Sequence, residues 1–434
     1  MATILIVHQN FPGQYLHLAQ ALRDRGDTIV SIGMEKAQQL PGIPLHRYDP
    51  AAGGVIPECH SLLADSQSKV LRGAAVAKTI LRLMGEGIEP DLVIGHSGWG
   101  ELLAIADILP GVAVIHHQEF VYNLRGADFG FDKEFHHPTW MDQTALRLRR
   151  NFQLLALDIF PCATTSTWWQ WSSIPAAYRN RVVVVHEGVD TTRITPLQAP
   201  GDTGEITLSR DGVVLRPGDE VVTFVNRTLE PCRGFHIFMR MLPLLQQLRP
   251  NVRAIVVGRD GKGYGGAPPG GGDWRTFMLR EVGSCVDTGR LHFVGQVPHS
   301  VLHRVFRLSS CHVYFSVPFI LSWSLLEAMA CGCLVVGSRT PPVQEVVRHG
   351  SNGLLVDFFD HEGLAKTIAR VLANPGDYQA LREAARKTVV DGYDLRNQCL
   401  PKQIDMIDAL LRGQKYPPSP MVPPAEIAGI LMAN

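Results

Sequence analysis

Apolar runs of four to six β-favouring residues recur along the chain, each followed by a stretch whose apolar positions fall three or four apart. The first is "TILIV" (Thr3 to Val7), followed by "QYLHLAQALRDRG", "TIVSIG", "DLVIGH", "GVAVIHH" and, later, "RVVVVHEGVD" (Arg181 to Asp190). Alternation of period 2 or continuous apolar runs with helical period predicts βαβ units around a parallel sheet. From about Thr192 to Glu220 a stretch rich in Pro, Gly and charge breaks the pattern, with a hairpin predicted in "EITLSRDGVVL". A second series then begins: "EVVTFVNR", the helix "FHIFMRMLPLLQQLR", "VRAIVVG", the helix "WRTFMLREVG", "LHFVGQV", "CHVYFSV", the helix "LLEAMACG", "LVVGS" and "GLLVD". The expectation is two doubly wound α/β domains in tandem. Residues 1–195 form the first and 196–412 the second, and a tail over 413–434 opens proline-rich and ends apolar, so that it docks on the body. The run "KGYGGAPPGGG" (Lys262 to Gly272) reads as a mobile loop.

Length and composition support that organisation and narrow the function. At 434 residues and 45% hydrophobic content the chain exceeds what one core usually organises. Lys+Arg and Asp+Glu both number 41, which removes the electrostatic footprint of a general nucleic-acid binder, so no nucleic-acid partner is expected. The eight cysteines are scattered, several in apolar runs such as "LSSCHVYFSV", as expected of free thiols in a reducing cytoplasm. The start "MATILIVHQNF" lacks the basic and apolar segments of an export signal, and no stretch approaches a transmembrane span.

In open α/β sheets ligands sit beyond the C-terminal ends of strands, so the loops there are where chemistry is sought. After the first strand, Pro12 and Gly13 form a turn in which Gly13 clears space for a phosphate at a helix N-terminus. No G-x-G-x-x-G follows, which disfavours a dinucleotide-dependent dehydrogenase. In "VNRTLEPCRGFHIF" Arg227 and Arg233 flank a turn before Gly234 opens a helix; two guanidiniums beside free helix N–H groups suit a diphosphate. In "PFILSWSLLEAMACG", Ser322, Trp323 and Ser324 precede a helix bearing Glu327, which either complements the helix dipole or accepts hydrogen bonds from a sugar diol. In the first half, Trp99 (within "GHSGWGE"), Glu119 and Tyr122 lie just past strand ends and could line an acceptor. Trp168, Trp169 and Trp171 could stack on a sugar, although core packing is the simpler role for at least one of them. Neither "HHQE" nor the His136–His137 pair has metal-site spacing, and no catalytic metal is expected.

Taken in order and spacing, "HEGVD", "NRTLEPCRGFHIF", "VRAIVVG", "LHFVGQVPHSVLHRVF" and "LLEAMACGCLVVGSRTPPVQEVVRHGSNGLLVD" resemble the family-4 glycosyltransferases, retaining enzymes of the GT-B type. The resemblance implies two Rossmann-like domains facing across a cleft, and metal-independent transfer from a nucleotide diphosphate sugar, a UDP-sugar before a GDP-sugar, to an acceptor. It implies no cofactor beyond that co-substrate. By position, Arg227 and Arg233 would hold the donor diphosphate and act on the leaving group. Glu327 would hold the ribose, the N–H groups of Trp323 and Ser324 the diphosphate, and Gly295, Gln296 and Val297 the base. Gly13 would lie near the phosphates, and His116, or its neighbour His117, beside the transferred sugar. Phe319 stands where the family's Glu-x7-Glu motif has its first glutamate, the group that grips the donor sugar. This departure leaves two further readings beside the transferase: a nucleotide-sugar epimerase, and a nucleotide-sugar-binding protein without catalysis.

Overall fold

The computed structural model describes residues 1–54, 58–196, 204–208 and 212–432. Two compact units divide the chain. The first comprises Met1–Leu124, Pro138–Gly188 and Arg396–Gly429, and the second Arg125–His137, Val189–Leu395 and Ile430–Asn434.

In the first unit the strands β1 (Thr3–Val7), β2 (Thr28–Gly33), β3 (Leu45–Arg47), β4 (Leu92–His96), β5 (Ala113–His117), β6 (Cys162–Thr165) and β7 (Val182–Val184) form one sheet. The order is β3-β2-β1-β4-β5-β6-β7, all pairs parallel, so the chain reverses direction of winding between β1 and β4. Alternation along each strand sends side chains to two separate cores. Ile4, Ile6 and Ile115 pack with Leu18, Leu22, Met406 and Ile407 on one face. Leu5, Val7 and Val114 pack with Val76, Ile80 and Phe160 on the other.

The second unit opens with the predicted hairpin, β8 (Ile206–Leu208) and β9 (Val213–Leu215), antiparallel. Its turn residues 209–211, and 197–203 of the predicted boundary stretch, lie outside the described residues. The sheet follows: β10 (Val221–Thr228), β11 (Arg253–Arg259), β12 (Leu291–Gly295), β13 (Cys311–Tyr314), β14 (Val335–Ser338) and β15 (Leu354–Val356). Its order is β12-β11-β10-β13-β14-β15, again all parallel, with the switch point between β10 and β13.

The chain positions of the elements follow the sequence pattern, but the expected domain boundaries do not: the main crossing falls at Gly188/Val189 rather than at 195/196, and two further segments change unit. The helix Leu400–Leu411 belongs to the first unit rather than the second, because its apolar face, including Met406 and Ile407, completes the core beneath β1 and β5. Residues 125–137 belong to the second unit, where the Phe135 ring packs edge-on to Trp274 at 4.8 Å and Glu134 is paired to Arg240. In the tail, Tyr416 packs on the first unit's core and Ile427, in the helix Ala425–Met432, is buried. The glycine-rich run makes two hydrogen bonds to its surroundings: Gly265 N–H donates to Glu230 at 2.7 Å, and Trp274 Nε1 donates to the Gly266 carbonyl at 2.9 Å. The eight cysteines are free. No helix among the described residues is long and apolar enough to cross a membrane.

Candidate functional site

Each unit gathers polar side chains at the C-terminal ends of its strands, beside its own switch point, where open α/β sheets bind ligands. In the first unit these are His8 after β1, His96 ending β4, His117 ending β5, and His186 and Glu187 after β7. The rings of His96 and His117 are 5.5 Å apart, those of His8 and His96 6.2 Å, and Trp99 lies 5.4 Å from His96. Gly13 closes this cluster. Its φ is +49°, and a Cβ there would stand 2.6 Å from His8 Cε1, so no larger residue fits between the turn and the imidazole.

Backbone contacts fix the ring orientations. His96 Nδ1 accepts from Gly98 N–H at 3.0 Å, which leaves Nε2 directed at Glu119 Oε2, 3.5 Å away. Burial opposes charge on Glu119, yet His96 and its neighbours outweigh it and lower its pKa. His117 Nδ1 lies 3.2 Å from Thr164 Oγ1, and its Nε2 is 3.9 Å from Glu187 Oε1. Burial first, opposed by Glu187, brings His117 down to about 4, so the imidazole is neutral at physiological pH.

His116, the first choice for this position from sequence, points to the opposite face. It is fully buried, its ring 5.8 Å from Phe160, and neither ring nitrogen has a hydrogen-bond partner among the described residues. Adjacent strand residues alternate faces, so one of the pair had to be sequestered, and the helix Trp140–Ile159 covers the His116 side. Tyr122 packs on that same helix, with Arg149 5.3 Å from its ring and its N–H bonded to Gln153. Trp169 and Trp171 are core residues, and Trp171 stacks under Arg179.

In the second unit, β10 delivers Arg227 and the turn after it delivers Arg233. Gly234, at φ +71°, links that turn to the helix Phe235–Leu248; a Cβ there would stand 2.3 Å from Phe315 Cβ. Arg227 is exposed, whereas Arg233 is buried and held by hydrogen bonds from Nη1 to Ile320 O at 2.8 Å and Ser316 Oγ at 3.0 Å. Both guanidiniums lie over the ring of Tyr264, at 4.9 Å and 5.7 Å. The same ring meets Phe319 at 4.9 Å, so Phe319 is buried under the glycine-rich loop. Ser322 precedes the helix Trp323–Ala330 without capping it; its N–H donates to Tyr314 Oη at 2.7 Å and its hydroxyl lies 3.0 Å from Ser324 Oγ. Glu327, one turn into that helix, is nearly buried, and Trp323 is half exposed. Gly295, at φ +71°, ends β12; Gln296 is exposed and Val297 packs on the core.

Structure thus brings Gly13, Trp99, His117 and Glu119 together in one unit, and Arg227, Arg233, Phe319, Ser322 and Ser324 around one strand-end switch point in the other. Sequence reasoning did not single out His8, Glu187, Tyr264, or the pair His299 and His303. The first two are legible only as residues immediately after strands, whereas the His-x-x-x-His spacing of the last pair was available as a signal.

Residues 25–194 match the model of the Glycosyl transferase family 4 group, and residues 206–388 that of the Glycosyl transferases group 1. A D-inositol 3-phosphate glycosyltransferase of Rhodococcus jostii is 30% identical over 209 residues, 48% of this chain and 43% of the relative. One of Salinispora arenicola is 30% identical over 211 residues, 48% of this chain and 45% of the relative. The match therefore spans less than half the length of these curated relatives. Among solved structures, Anabaena HepE in complex with UDP and glucose superposes with a TM-score of 0.67 at 19% identity, covering 94% of this chain and all (100%) of that one. Sucrose-phosphate synthase of Thermosynechococcus elongatus gives 0.69 at 15% identity, covering 95% and 100%. At such identities the likeness is one of fold, two parallel-sheet α/β units of the GT-B class. The first half of the chain, over residues 25–194, thus belongs with the Glycosyl transferase family 4 group, and the second, over residues 206–388, with the Glycosyl transferases group 1.

Proposed function

We propose that this protein is a retaining glycosyltransferase that takes a sugar from a nucleotide diphosphate sugar, UDP-linked before GDP-linked, and transfers it to an acceptor hydroxyl. The observation that carries the reading is the pair Arg227 and Arg233 at the β10 switch point, beside a helix that Gly234 leaves open at its N-terminus. A buried, oriented guanidinium stabilises a leaving diphosphate because it is already in place when charge develops. Glu327 holds the ribose, the N–H groups of Trp323 and Ser324 meet the phosphates, and backbone at Gly295 to Val297 meets the base. In the first unit, neutral His117 orients the transferred sugar, and Trp99 and Glu119 line the acceptor side. In a retaining reaction without a protein nucleophile, a donor phosphate oxygen takes the acceptor proton, so the protein's work is positioning and charge stabilisation. The nucleotide sugar is the co-substrate, no resident cofactor takes part, and the reaction belongs in the cytoplasm. The complexes with UDP and the inositol-phosphate acceptors named for the relatives are consistent with this reading.

The test is calorimetric titration with UDP, GDP and their sugar conjugates, followed by an assay for sugar release from whichever donor binds. Binding with slow release supports the transferase; the absence of binding overturns it. Binding with no release, even with acceptors present, favours the second reading, a non-catalytic nucleotide-sugar binder, to which the buried Phe319 in place of a sugar-gripping carboxylate lends support.

A further inference from the structure

Two helices of the second unit place three metal-ligating side chains together. The helix His299–Leu308 carries His299 and His303 one turn apart on a single face, and the helix Trp323–Ala330 turns Glu327 toward both. His299 Nδ1 is 3.6 Å and His303 Nε2 3.9 Å from the same oxygen, Glu327 Oε1, and one ligand atom from each residue lies within 4.8 Å of the others. These separations are too long for good hydrogen bonds. They are close to what two ligands of one tetrahedral ion require, since bonds of about 2.1 Å at the tetrahedral angle put donors roughly 3.4 Å apart.

Burial adds a second, independent observation. His303 Nε2 is buried and has no hydrogen-bond partner among the described residues, which is costly for a polar ring atom unless something completes it. The His303 and Glu327 side chains are 18% and 11% exposed, whereas that of His299 is 73% exposed, so an ion could enter from the His299 side and keep solvent at its remaining position. Glu327 turns one carboxylate oxygen, Oε1, toward both rings, so the anionic ligand is already in position. Two imidazole nitrogens and one carboxylate oxygen suit zinc and its neighbours rather than magnesium or calcium, which take oxygen ligands. The other such grouping, Asp132, Glu134 and His236, lacks this readiness, because Glu134 is committed to Arg240 at 2.7 Å.

We propose that His299, His303 and Glu327 form a binding site for one divalent cation of the zinc class. Metal binding needs only these three side chains. One consequence rests in addition on the proposed function: Glu327 cannot ligate a metal and hold a ribose at once, so zinc and the nucleotide compete, and the ion acts as an inhibitor rather than a cofactor.

The experiment titrates the full chain, stripped with a chelator, with zinc chloride against a chromophoric zinc indicator, without nucleotide, for wild type and for His299→Ala, His303→Ala and the double variant. Cobalt substitution supplies the absorption bands of a tetrahedral site. One equivalent of zinc should bind the wild type, with each single variant losing at least the ~10–100-fold that removing even an outer partner of a metal ligand costs. His299 is largely exposed, so His299→Ala should keep the wild-type circular dichroism. Failure of the wild type to bind zinc, or wild-type affinity in the double variant, overturns the site. UDP titration with and without zinc then separates the two claims. Zinc should weaken UDP binding in the wild type and not in the double variant; a zinc site lost in the variant but without effect on UDP upholds the metal site and removes Glu327 from the nucleotide.

Discussion

Replacing His116 by leucine discriminates between the two adjacent histidines of β5 and also gives a signed pH effect. The imidazole is fully buried beside Phe160, with both nitrogens unpartnered among the described residues. Leucine has a similar volume and no polar atoms, so the variant escapes the cost of an unsatisfied buried group, about 1–3 kcal/mol. For a unit of this size that corresponds to roughly 2–4 °C in melting temperature per kcal/mol. Burial first, then His117 and His96, lowers the folded-state pKa of His116 to about 3, below the unfolded value near 6.5. The folded state therefore refuses a proton that the unfolded state accepts. This imidazole's contribution is intact above pH 6.5 and is lost as pH falls toward 3, at about 1.4 kcal/mol for the unit below 6.5. Urea unfolding at pH 7.5 and pH 5.5 should show His116→Leu more stable than wild type at both, with the margin about 1.4 kcal/mol wider at pH 5.5. Sugar transfer should be unchanged. A variant less stable at both pH values, or of wild-type stability with turnover abolished, would refute the assignment and return His116 to the substrate.

Three other substitutions test the rest of the site. His117→Ala should leave UDP affinity within about twofold and lower turnover by roughly 100-fold, the scale of misplacing a reacting group by about 1 Å; steady-state kinetics beside calorimetry separates the two. Arg227→Ala, at an exposed position, should weaken UDP binding by about 1.5–3 kcal/mol without moving the melting temperature, and unchanged affinity removes it from the diphosphate. Tyr264→Ala uncovers both guanidiniums and should tighten UDP binding by about 0.5–1 kcal/mol, the worth of an exposed cation–π contact. Weaker binding in that variant would instead mean that the ring holds the nucleotide.

Local pattern determined a great deal here. The alternation of short apolar runs with helical periods specified both parallel sheets, because strand and helix periodicity is a property of neighbouring residues. The order of motifs from Phe224 to Asp357 likewise carried the family resemblance, and strand ends marked where ligand-binding side chains are to be sought. What remained depended on contacts between residues far apart in sequence. His116 and His117 are equivalent by spacing; only the helix Trp140–Ile159 packed over one face decides which is sequestered. Tyr264 lies in a run whose composition suggests freedom, yet the bond from Gly265 to Glu230, more than thirty residues earlier, pins it over the arginines. Residues 396–412 follow the second sheet in sequence but fill the core of the first, since Met406 and Ile407 are buried only there. His299, His303 and Glu327 meet because two helices of one unit pack side by side, a proximity that tertiary packing alone creates.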